Sequence, residues 1–70
     1  MEMLIVIESD QGSELHSYHG YPPAVGDTVV IEDKNYRVIN REFYFWTNLL
    51  GGKDSSVTVI VEEYHIAKSI

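Results

Sequence analysis

One stretch constrains the fold of this chain more than any other: Val25-Gly26-Asp27-Thr28-Val29-Val30-Ile31-Glu32-Asp33-Lys34-Asn35-Tyr36-Arg37-Val38-Ile39. Val29, Val30 and Ile31 on one side, and Tyr36, Val38 and Ile39 on the other, are β-branched or aromatic residues that pack well on a pleated surface. The polar segment Glu32-Asp33-Lys34-Asn35 between them reads as a tight reversal, with Asn35 as the residue best suited to a left-handed conformation. Gly26-Asp27 gives the first strand a defined start through a permissive backbone and a side chain that can bond its own main chain. A β-hairpin is the expectation.

The remaining elements are placed around it. Met3 to Ile7 is a continuous apolar run, too short for a helix and apolar on both faces, which suggests a central strand. Residues 9 to 27 contain Gly12, Gly20, Pro22, Pro23 and Gly26. They read as a long loop, with Leu15 to Tyr18 packing or pairing as an excursion across the barrel. The second strand covers 28 to 31. After Tyr36 the alternation changes phase, because Tyr36 and Val38 share a face while Phe43 and Phe45 fall on odd positions. Such a flip near Asn40-Arg41-Glu42 indicates a bulge or bend, splitting this segment into strands 35 to 40 and 42 to 47.

Thr47 to Ser56 reads as a loop with paired glycines. Val57, Val59 and Val61 then alternate with Thr58, Ile60 and Glu62, a half-buried strand that Phe43 and Phe45 should face. Residues 64 to 70 form either a turn or a terminal strand paired with the first. The sum is an all-β, single-domain chain over 1–70: a small SH3-like barrel or roll of five to six mostly antiparallel strands, with a long loop after strand 1. Its expected core is Leu4, Val6, Val29, Ile31, Tyr36, Val38, Phe43, Phe45, Val57, Val59 and Val61. The alternative is an open meander sheet that takes its second layer from another subunit.

Size and charge narrow the function classes. At 70 residues, surface scaling leaves roughly 4,400 Å² exposed, so only about 60 % of the unfolded surface is buried. With no cysteine, neither disulfides nor thiolate metal sites can supplement that core, and no thiol nucleophile exists. The net charge of −6 argues against binding to nucleic acid or anionic membranes, both of which need basic residues. No segment approaches the roughly 20 apolar residues of a membrane helix. A soluble, cytoplasmic protein is expected.

The layout Pro23-Ala24-Val25-Gly26-Asp27-Thr28-Val29, then Tyr36-Arg37-Val38, then Val57-Thr58-Val59-Ile60-Val61, resembles that of small uncharacterised proteins of phages and bacteria with an SH3-like β-barrel. The resemblance implies a barrel, and the host cytoplasm if the chain is phage-encoded. It carries over no activity and no catalytic residue. The Ala-Leu-Tyr-Asp-Tyr run of signalling SH3 domains is absent, so proline-rich peptide binding is not implied.

No constellation points to catalysis. His16 and His19, with Asp10 and Glu14 nearby, are the one group of ligand-type residues, and His65 lies far along the chain; the reading is solvated loop histidines and no metal site. Glu32-Asp33 and Glu62-Glu63 are adjacent pairs, which a strand sends to opposite faces rather than into one pocket. The serines lack a nucleophile elbow, and Gly51-Gly52-Lys53-Asp54 lacks the spacing of a phosphate loop. We expect no enzyme, no cofactor and no small-molecule substrate.

The aromatics carry the functional expectation. With Phe43 and Phe45 inward, Tyr44 and Trp46 point outward about 7 Å apart. Tyr18 and Tyr21 could reach the same surface, and Leu49-Leu50 stand on a glycine-flanked loop. Tyr, Trp and exposed Leu are typical of docking surfaces. The expectation is a non-catalytic interaction module that binds a protein partner or self-associates, with Tyr44, Trp46, Leu49, Leu50, Tyr18 and Tyr21 as contacts. The alternative is an acidic nucleic-acid mimic that inhibits a DNA-binding protein, using Glu8, Asp10, Glu14, Asp27, Glu32, Asp33, Glu42, Asp54, Glu62 and Glu63.

Overall fold

The computed structural model describes residues 3–65. They form one five-stranded sheet of β1 (Met3–Ser9), β2 (Glu14–Gly20), β3 (Thr28–Ile31), β4 (Lys34–Thr47) and β5 (Lys53–Glu63). The order across the sheet is β2-β1-β5-β4-β3. All neighbours are antiparallel except β1 and β5, which run parallel. The sheet curls into a half-barrel. Among the described residues nothing else covers it, so curling is how one face is buried. Leu15 from β2 accordingly lines the same cleft as Tyr36 and Lys34 from β4, three strands away.

The concave face holds the core. Ile5, Val57, Val59 and Val61 are fully buried, Val38 is at 1 %, and Ile7 and Tyr36 complete the set. Met3, Leu15, Tyr18, Val29 and Ile31 pack around them. Each fully buried aliphatic side chain here contributes about 1.5–3 kcal/mol. Pairing explains the membership, because directly opposed residues share a face: Ile5 lies opposite Val57, Ile7 opposite Val59, and Val38 opposite Val61.

β1 therefore has the phase opposite to the one expected. Leu4 and Val6 lie on the convex face, and Ile5 and Ile7 fill the core. A run apolar on both faces carries no phase of its own; the neighbouring valines of β5 set it. The long loop after strand 1 is also replaced. β1 turns at residues 10–13 and returns as β2, paired from Met3↔Gly20 to Glu8↔Glu14 with an irregularity between Ile7 and Glu8. The Leu15–Tyr18 excursion is thus a regular strand on the sheet edge. Its pattern was hard to read because one inward position is Gly20, over which the Tyr18 ring lies, 3.1 Å from where a Cβ would stand.

The β3–β4 hairpin forms as expected with a tighter turn. Ile31 pairs with Lys34, so only Glu32 (φ 48) and Asp33 (φ 68) span the reversal, both left-handed. Asn35 is a strand residue opposite Val30. Two residues with positive φ make the mirror-type turn whose twist matches that of the flanking strands. In front of β3, Asp27 N–H donates to the Ala24 carbonyl at 3.0 Å, and Asp27 Oδ2 accepts from Ala24 N–H at 2.8 Å. Gly26 (φ 96) supplies the positive φ that this turn requires. The turn then docks on β4, with Gly26 N–H donating to the Val38 carbonyl and Val38 N–H to that of Asp27.

β4 does not split into two strands. It runs unbroken over Lys34–Thr47 and takes up the phase change at a bulge between Val38 and Asn40, slightly earlier than expected. The bulge puts Arg37, opposite Glu62, and Arg41, opposite Val59, on different faces. Arg37 stacks on Tyr64 at 4.7 Å and Arg41 on Phe43 at 5.4 Å. The expected loop 47–56 shrinks to the turn Asn48–Gly52, because β5 begins at Lys53. Tyr64 packs at the β3–β4 end, where its hydroxyl bonds Thr28 Oγ1 at 2.9 Å and its N–H donates to Asn35. Residues 66–70 of the expected terminal element lie outside the described residues.

Candidate interaction surface

At about 3.3 Å per residue, the 14 residues of β4 span roughly 46 Å. β1 reaches only as far as Ser56, so the end of the β4–β5 hairpin extends past the sheet as an arm. The molecule measures 58 × 23 × 19 Å, with a radius of gyration of 14.3 Å against about 11 Å for a compact chain of this length.

The arm's faces are set by register. Phe43 opposes Val57 and Phe45 opposes Ser55, so both stand on the concave side as expected. They are not core: Phe45 is 75 % exposed and Phe43 is 44 % exposed. Phe45 lies beyond the end of the β1 pairing, and Phe43, level with Val57, lies on β4 past the end of β3, where no described strand flanks it. On the convex side, Tyr44 opposes Ser56 and Trp46 opposes Asp54, each 47 % exposed. Tyr44 Oη donates to Glu42 Oε2 at 2.6 Å. That bond, with the charge of Glu42 and more weakly that of Glu8, holds the phenol pKa above its usual value. Trp46 borders a recess with Met3, Leu4, His19 and Lys53.

The tip is a three-residue turn. Asn48 N–H donates to Gly52 and Gly51 N–H donates to Asn48, with Gly51 at φ 85. Asn48 Oδ1 accepts from Leu50 N–H and Gly52 N–H, both at 2.9 Å, while its Nδ2 donates to Asp54 at 3.1 Å. Lys53 Nζ donates to Thr47 Oγ1 below it. One asparagine thus ties the loop together, and the leucine side chains hold none of it. Leu49 and Leu50 project into solvent at 105 % and 97 % exposure.

The other expected contacts are distributed differently. Tyr18 lies on the concave side, opposite Ile5, half-buried against the core, and its hydroxyl donates to the Tyr21 carbonyl at 2.9 Å. It is a structural clamp rather than a neighbour of Tyr44. Tyr21 is exposed just after β2, which ends at Gly20 opposite Met3. His16 faces the concave side opposite Ile7, and His19 faces the convex side opposite Leu4, so β2 separates them. The acids divide between the faces: Glu8, Glu42 and Glu62 on the convex side, Glu63 opposite Tyr36 on the concave one. Sequence reasoning missed Leu4 and His19 as neighbours of Trp46. Only the pairing of three strands brings them to one recess.

Comparisons with protein-family models, curated proteins and solved structures find no match to this chain.

Proposed function

We propose that the chain is a small, non-catalytic protein-interaction module, built on a roll of SH3-like kind, that docks a protein partner through the end of its arm. Leu49 and Leu50 supply the insertion point, and Tyr44 and Trp46 supply the convex flank. A single observation carries this reading: two leucine side chains stand fully exposed on a turn whose hydrogen bonds all run through Asn48. Exposed leucines in a rigid loop contribute nothing to folding and are poised to fill a partner's apolar pocket at little entropic cost.

The test is comparative capture from a native extract with the full chain and with the double variant Leu49→Asp, Leu50→Gln. Proteins retained by the wild type and lost by a folded variant support the reading. An identical retained set contradicts it.

A further inference from the structure

β5 closes one edge of the arm, and the other edge is open. β3 pairs no further along β4 than Arg37, and the Gly26-Asp27 turn takes the groups of Val38. From Asn40 to Thr47, no described strand pairs with that side of β4. Asn48 N–H is used across the turn by Gly52. Strand alternation therefore aims the amides and carbonyls of Trp46, Tyr44 and Glu42 at β5, and those of Thr47, Phe45, Phe43 and Arg41 outward. Soluble proteins protect such an edge with proline, lysine or a covering loop. This one carries neither proline nor lysine, and its bulge precedes it at Ile39.

We propose that the open edge of β4 pairs antiparallel with the same edge of a second copy, about a twofold axis at Phe43, joining two half-barrels into one ten-stranded sheet. The inference rests on the reading of the arm as a docking surface and names a second copy as an occupant of its edge. Two observations select that occupant. The edge is self-complementary: a twofold at Phe43 sets Phe43 against Phe43, Arg41 against Phe45, and Glu42 against Tyr44 of the second copy. Both heterotypic contacts repeat ones the chain already makes, Arg41 over a phenylalanine ring at 5.4 Å and Tyr44 to Glu42 at 2.6 Å.

Sedimentation velocity on the full chain at about 10–100 µM, together with two variants, tests this. The wild type is expected to sediment as a dimer, and more completely as salt is raised, because two copies of net charge −6 repel. Phe45→Lys, at a side chain 75 % exposed, is expected to stay folded and become monomeric. The chain has no cysteine, so Phe43→Cys is expected to oxidise to a linked dimer, since directly opposed hydrogen-bonded residues have Cα atoms about 5.5 Å apart, within disulfide reach. Val30→Cys, exposed on β3, is the control and stays unlinked. A wild type that remains monomeric overturns the inference. So does a dimer that survives Phe45→Lys, or one in which Phe43→Cys fails to link. The capture experiment reads the Leu49-Leu50 tip and sedimentation reads Phe43 and Phe45, so the two proposals fail separately.

Discussion

Two turns of this molecule share one backbone design and differ in what they carry. At the end of β1, Ser9 N–H donates to Ser13 at 2.8 Å and Gly12 N–H to Ser9 at 3.0 Å; at the arm tip, Asn48 N–H donates to Gly52 at 2.8 Å and Gly51 N–H to Asn48 at 3.0 Å. Both place a glycine at positive φ, Gly12 at 91 and Gly51 at 85. Both use the first side chain as a double acceptor: Ser9 Oγ for Gln11 and Ser13, Asn48 Oδ1 for Leu50 and Gly52. The two exposed central positions hold Asp10-Gln11 in one turn and Leu49-Leu50 in the other. The first turn shows that the geometry is satisfied by polar residues. The leucines of the second are what the proposed contact with a partner would account for.

The same contrast separates the body from the arm, and mutation can break it. The largest expected effect is Ile5→Ala in the core, a loss of about 2–5 kcal/mol in denaturant unfolding, against less than about 0.5 kcal/mol for Phe45→Ala on the arm, both measured at a dilution where the chain is monomeric. Equal costs would mean that the arm's concave face is packed. Next, Asn48→Ala should cost about 1–2 kcal/mol, because it removes three hydrogen bonds from the tip. Ser9→Ala should cost less, about 0.5–1 kcal/mol, since its two bonds are longer, at 3.3 and 3.1 Å. A reversed order would show that the tip is not held by its asparagine.

How much of this could be read beforehand depended on where period-2 alternation is pure. Val57, Val59 and Val61 and the β3–β4 hairpin were legible because each inward β-branched residue has a polar or half-buried neighbour. β1 was legible as a strand and not in phase, since every residue from Met3 to Ile7 is apolar. β2 was lost because an inward position is glycine and Leu15 sits beside an irregularity. On the candidate surface, the outward direction of Tyr44 and Trp46 followed from alternation with Phe43 and Phe45. The exposure of the two phenylalanines did not, because it depends on how far β1 and β3 extend alongside the arm.

The β3–β4 turn sharpens the comparison from the opposite direction, as a reversal whose residues are unfavourable for its geometry. Glu32 and Asp33 occupy left-handed conformations that Asn-Gly adopts more readily. Glu32→Asn, Asp33→Gly should therefore raise stability by about 0.5–1 kcal/mol. A destabilised variant would mean that the native side chains hold the turn. The smallest effect is electrostatic. Glu42 raises the Tyr44 pKa, so Glu42→Gln should let Tyr44 ionise at lower pH in a tyrosinate absorbance titration. A folded-state pKa above the unfolded one favours folding below the ordinary tyrosine range of about pH 10 and loses that contribution as pH rises through the raised value. The wild type should accordingly lose slightly more stability than Glu42→Gln across that alkaline window.

The most direct test of the central claim, that Leu49 and Leu50 serve a contact outside the fold, is the unfolding midpoint of Leu49→Asp, Leu50→Gln, which gives the arm tip the residues of the β1–β2 turn. The account expects unfolding free energy within about 0.5 kcal/mol of the wild type, as for other exposed positions. A loss of about 2 kcal/mol, the size expected for buried leucines, would contradict it and return the tip to the hydrophobic core.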